Sequence, residues 1–153
     1  MLLSPFIQNT LIAGVITMIA ITFAITGFAY LEKKPALWPL GSIAHIVYGT
    51  RALEEKYPKP SFLLVGFMLN FAAMISWAGV AESFYFWLKI QPSNVLMTLV
   101  ISVLTVILAF VTDFHIVPKR LTPGFENVLN PTSLRLVFVV FAVALFLAGL
   151  LRQ

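Results

Sequence analysis

The chain has 153 residues, of which 60% are hydrophobic and 10% charged, whereas a soluble domain carries roughly a quarter charged residues. A single water-soluble core of this length does not hide so much apolar surface, so the surplus is expected to face lipid and the chain to be an integral membrane protein. The net charge of +4 sits in connections between apolar runs, which speaks against a nucleic-acid partner; the lack of Cys excludes disulfides, thiolate metal sites and Cys nucleophiles.

The opening stretch MLLSPFIQNT has no Lys or Arg before the first apolar run. That run exceeds a signal-peptide core of roughly 7–15 residues, so it is expected to remain as a membrane span. It covers residues 5–31, with Ser4 as N-cap and Pro5 in the first helical position. The connection KKPALWPLGSIAHIVYGTRALEEKYPKP follows. In it Ile43, Ile46, Val47, Thr50 and Leu53 recur at helical spacing, and Trp38 and Tyr48 suit headgroups. This spacing predicts an amphipathic helix over 41–56, at the cytoplasmic face and packed on the bundle.

The second span covers 61–88. The short link Ile90-Gln91-Pro92 forces an antiparallel turn into a third span over 93–117, which starts near Ser93 and which Pro118 ends. The fourth span, 130–151, opens on the cap-and-proline pair Asn130-Pro131. Each is long enough for a hydrocarbon layer of about 30 Å. The fold class is all-α: a polytopic membrane protein, with one four-helix transmembrane domain over 1–153.

Lys33, Lys34, Arg51, Lys56, Lys59, Lys119 and Arg120 lie in the two long connections, with Arg135 one turn into span four on the same side. Lys89 and Arg152 mark the opposite side. The positive-inside rule puts both long connections in the cytoplasm and both termini outside.

Membrane helices associate through close packing and polar contacts, so stripes of small residues should mark contact faces. Span one offers Thr10, Gly14, Thr17, Ala20, Ala24 and Gly27; span two offers Ala72, Ser76, Gly79 and Ser83. In span three Thr98, Ser102, Thr105, Ala109 and Thr112 share one face. These hydroxyls either bond one turn back within a packed face or form a polar track leading toward Asp113.

Ionisable residues near the spans need partners. Glu82 is either bonded to Gln8 or Asn9, snorkelling outward, or an ion or proton site together with Asp113. Asn70 is expected to bond across to another helix. Asp113 opposes the dipole at the end of span three, where His115 suits it, and Arg135 is the expected ion-pair partner of Asp113. Thr122-Pro123 predicts a short helix whose N-terminus, with Lys119, Arg120 and Thr122, would hold an anion such as a lipid headgroup. His45, Asp113, His115 and Glu126 are the candidate metal ligands, and a haem between His45 and His115 is a weaker alternative. No Ser/His/Asp order, phosphate loop or HExxH motif is present.

The stretches GSIAHIVYGTRAL, GFMLNFAAMISWAGVAES and DFHIVPKRLTPGFE resemble a group of small, uncharacterised bacterial inner-membrane proteins. Those chains have four spans and a D-x4-P-x-R-L-T-P-G-F/W-E signature after the third. The resemblance covers nearly the whole chain and is most specific over Arg120 to Glu126. It implies a bacterial cytoplasmic membrane and highlights His45, Glu82, Asp113, Arg120 and Glu126. Some members are labelled sodium:proline symporter, but four spans without an inverted repeat do not suit a sodium-solute symporter. The resemblance implies no activity. The leading expectation is a non-enzymatic accessory subunit without a cofactor, partnered by the lipid bilayer and by other membrane proteins or copies of itself. The alternatives are a small oligomeric transporter using the span-three hydroxyls with Asp113 and Glu82, and a metal or haem protein at the cytoplasmic face.

Overall fold

The computed structural model describes residues 4–91 and 94–152, and among these there is no strand. Four helices are long and apolar enough to cross a membrane, making the chain an all-α, multi-pass membrane protein. They are α1 (Pro5–Leu31), α5 (Pro60–Trp87), α6 (Val95–Val111) with the turn that continues it to Ile116, and α7 (Pro131–Leu150). Three short helices, α2 (Trp38–Ser42), α3 (His45–Tyr48) and α4 (Arg51–Glu54), connect α1 to α5.

Local chemistry sets the helix ends. Side-chain oxygens of Ser4, Asn94 and Asn130 accept from the N–H groups of Ile7, Met97 and Ser133. The expected start of the third span, Ser93, lies outside the described residues. Pro5, Pro60 and Pro131 occupy first-turn positions where no N–H is needed. α1 and α5 both stop on a lysine in the left-handed region, Lys33 (φ 57°) and Lys89 (φ 52°). The next N–H groups, of Lys34 and Ile90, reach back to the carbonyls of Ala29 and Tyr85. α6 continues into a π-helical turn, Thr112–Ile116, closed by Val117 N–H on the Thr112 carbonyl at 2.9 Å.

α1 packs along both α5 and α7, while α6 packs mainly on α7. Thr17, Ile25, Ile101, Thr105 and Val137 are fully buried between them, and large apolar side chains such as Phe23, Leu64 and Leu96 face outward. α5 and α6 meet near their hairpin, where the Tyr85 hydroxyl approaches the Thr98 carbonyl at 3.5 Å. Thr98 and Ser102 are buried, and their hydroxyls donate one turn back to the Asn94 and Thr98 carbonyls. These two hydroxyls therefore belong to a packed face, with Gly149 of α7 seated against Thr98.

The connection between α1 and α5 departs from the single amphipathic helix predicted over 41–56. Gly49, at φ 70°, breaks it between α3 and α4. Residues 39–45 are buried inside the bundle's end and do not lie along its surface. Gly66 of α5 makes this docking feasible, since a Cβ there would collide with the Leu40 carbonyl. After α6, Lys119–Leu121 and Phe125–Asn127 form single 3-10 turns in place of the short helix expected from Thr122-Pro123.

Candidate functional site

The segment from Arg120 to Glu126 crosses the basic end of the bundle and presents alternate side chains to two cavities. Leu121, Pro123 and Phe125 line an apolar groove of about 310 Å³. Arg120, Thr122 and Glu126 line a second cavity of about 630 Å³, polar in its charged groups although Leu53 and Phe114 also line it. The alternation comes from two 3-10 turns, Lys119–Leu121 and Phe125–Asn127, joined through Thr122, Pro123 and Gly124. Facing elements divide the same way: Ile43, Ile46 and Asp113 line the groove, while His45 and Phe114 line the cavity. Gly124 joins the segment to the buried connection. At φ 89°, a Cβ on it would lie 2.6 Å from the Ser42 carbonyl oxygen and 2.7 Å from His45 Nδ1, so this position needs glycine for both reasons.

In the polar cavity His45 is 5% exposed, with Nδ1 2.9 Å from the Ser42 carbonyl. A carbonyl only accepts, so Nδ1 carries hydrogen and Nε2 is the nitrogen not used by the fold. The Thr122 hydroxyl is shared between the Lys119 carbonyl at 3.0 Å and Glu126 Oε1 at 2.5 Å. Among the described residues Glu126 Oε2 is buried without a hydrogen-bond partner. Exposed Lys119 and Arg120 complete the rim.

The groove lies where α5 diverges from α7 and the end of α6. Its α5 wall combines small exposed residues, Ala72, Ala73 and Ser76, with the larger Leu69, Met74 and Trp77, and faces Phe138 and Phe141 of α7. Half of the span-two stripe therefore lines a groove instead of a helix contact. Asn70 donates to Thr22 Oγ1 on α1 at 3.0 Å, the expected bond across helices. Asp113 brings the groove's carboxylate and forms no hydrogen bond or ion pair among the described residues.

Several expected groupings are corrected. Asp113 and Arg135 do not pair: Arg135 is on the exposed side of α7, while Asp113 turns into the groove. The four candidate metal ligands separate. His45 and Glu126 share the polar cavity, Asp113 lines the groove, and exposed His115 packs on the Phe110 ring at 5.7 Å. Among the described residues no three His, Cys, Asp or Glu gather as metal ligands, and His45 and His115 line no common cavity for a haem. Lys119, Arg120 and Thr122 do share one cavity, but a three-residue turn offers no helix N-terminus to an anion. The Glu126 carboxylate already occupies that position on Thr122.

At the hairpin end Glu82 is 3% exposed and meets Arg152 Nε at 3.0 Å, with the Asn9 side chain as a further hydrogen-bond partner. The Arg152 guanidinium lies 3.7 Å from the Tyr85 ring centroid. Glu82 thus sits in a closed ion pair, at the opposite end of the bundle from Asp113.

From the sequence, Lys34 has a role only as a topology charge, and Glu32 has none. Both Glu32 carboxylate oxygens accept from the Asn130 N–H at 3.2 Å, at the start of α7. Lys34 Nζ bridges Glu32, at 2.7 Å, to the Val128 carbonyl. Partial burial pushes the Glu32 carboxyl upward, but the Lys34 ammonium, the Ser133 side chain and the Asn130 N–H together hold it below its usual 4.5. The available signal was an acid directly after span one, in a chain with few carboxylates.

No protein-family model, curated protein or solved structure matches the chain.

Proposed function

We propose that the protein is a non-enzymatic subunit of the bacterial cytoplasmic membrane that holds one lipid-like amphiphile, with its basic end in the cytoplasm. The groove carries this reading. It is apolar along Ile21, Ile43 and Phe141, has small exposed residues on α5, and includes the Asp113 carboxylate near the basic end. About 310 Å³ matches the lower range of small-ligand sites, roughly 300–1,000 Å³. A partner helix of about 10 Å diameter needs far more room. An apolar chain or ring with a polar end fits the lining. The basic connections support the orientation, and the signature over Asp113 to Glu126 supports the bacterial membrane.

Purification in mild detergent followed by solvent extraction and mass spectrometry is expected to return about one amphiphile per chain, as a single tight site requires. Ala73→Trp, which fills the groove from an exposed position, is expected to remove it at unchanged helical content. Equal retention by both proteins contradicts the proposal. Asp113, without an ion-pair partner among the described residues, also supports a second reading, a small oligomeric carrier. For a carrier, Asp113→Asn abolishes solute or proton flux in liposomes; for a binding subunit, neither protein conducts.

A further inference from the structure

Building on the amphiphile-binding reading, we infer that the polar cavity is a headgroup site for a zwitterionic phosphoester. Its ammonium enters toward Glu126 and His45, and its phosphate meets Lys119 and Arg120. The charge pattern makes the choice. A site for a simple anion gains nothing from a carboxylate within it, and a site for a simple cation gains nothing from two cations at its mouth. A ligand with both charges, several ångströms apart, satisfies the whole set.

The acceptors point to the amine end. Thr122 holds Glu126 Oε1, and among the described residues Oε2 is buried without a hydrogen-bond partner. A buried acceptor without a donor is costly; Oε2 is sealed from solvent in this geometry, and turning the carboxyl about its last bond brings it to a donor in the cavity. His45 lines the same cavity, and with Nδ1–H committed to Ser42 the nitrogen left for a ligand is Nε2. An ammonium brings three donors and no acceptor, which suits both. Arg and Lys at the rim suit phosphate oxygens. The loop that walls this cavity with Thr122 and Glu126 walls the groove with Leu121, Pro123 and Phe125, so a headgroup and an apolar chain are gathered by one short segment.

The test titrates delipidated protein in detergent with phosphatidylethanolamine and phosphatidylglycerol of identical chains, read by native mass spectrometry. The unaltered protein is expected to retain the ethanolamine lipid about tenfold better, the scale of one charge-assisted contact. Glu126→Gln should abolish the preference by lowering retention of the ethanolamine lipid, with phosphatidylglycerol retained at least as well as before. Lys119→Gln with Arg120→Gln, both exposed and safe for folding, should lower both lipids. Soluble phosphoethanolamine separates the sources. Displacement at equal concentration assigns the site to a soluble phosphoester, and a requirement for large excess assigns it to the lipid.

Equal retention of the two lipids overturns the inference, as does a preference that survives Glu126→Gln or a double variant that binds both lipids as before. The groove is scored separately by Ala73→Trp. If that variant changes nothing while Glu126→Gln removes the preference, the headgroup site stands without the groove; the reverse result leaves the groove without the headgroup site.

Discussion

Arg152 shows how little a residue's type reveals about its task in this chain. In the sequence it is a charge that helps to set topology; in the fold its side chain is 11% exposed and pairs with Glu82, itself nearly sealed. The need of Glu82 for a partner was legible from its depth in span two. The partner's identity was not, because α5 and α7 are brought together by α1 and not by any pattern in their own residues. Removing one member of a buried pair leaves an uncompensated charge, at a cost of about 3–5 kcal/mol. Arg152→Ala is therefore expected to lower resistance to unfolding in a denaturing-detergent titration by about 3 kcal/mol. Adding Glu82→Gln should recover part of the loss, since the stranded charge is then gone. A loss below about 0.5 kcal/mol, the size of a surface pair, contradicts the burial argument.

At the scale of elements, the long helices were legible and the short ones were not. A span needs about 20 apolar residues in a row, and composition alone shows that. The segment over 41–56 has helical spacing as well, yet Gly49 divides it and Gly66 draws α2 down onto α5. Spacing records where apolar residues fall; it does not record a glycine on a distant helix opening a seat for them. α7 is another element completed from elsewhere, because Glu32 caps its first turn together with Asn130. An acid at a helix N-terminus stabilises it through the dipole and a charge-assisted bond, by about 1 kcal/mol. Glu32→Gln is expected to destabilise the protein by about that amount at neutral pH. Because the folded-state carboxyl is held below its usual 4.5, its contribution is complete above that value. It disappears as the pH falls through the depressed folded value. The two proteins should therefore converge in stability in acid, and a difference that persists or grows there contradicts the capping role.

The whole molecule has two chemically distinct ends, and this is the level at which sequence and structure agree best. The long connections, with Lys33, Arg51, Lys56, Lys59, Lys119 and Arg120, emerge together at one end of the bundle, while Lys89 and Arg152 lie at the other. Ion pairing removes one cation from each end, Lys34 by Glu32 and Arg152 by Glu82, so the asymmetry persists after pairing. What the sequence could not show is how the two connections combine. The alternation of Leu121, Thr122, Pro123 and Phe125 gains meaning only when α2 and α3 supply Ile43 and His45 to opposite sides of it. The sidedness is directly testable, because a chain with no cysteine is a clean background for accessibility labelling. Lys56→Cys and Lys119→Cys are expected to resist a membrane-impermeant maleimide in intact cells and to react after permeabilisation. Lys89→Cys should react in both states. Labelling of Lys56→Cys and Lys119→Cys from outside would move the headgroup cavity to the outer leaflet, with its lining intact. Labelling of those two from opposite sides would separate α4 from the end of α6, and the cavity they share would have no place in the folded chain.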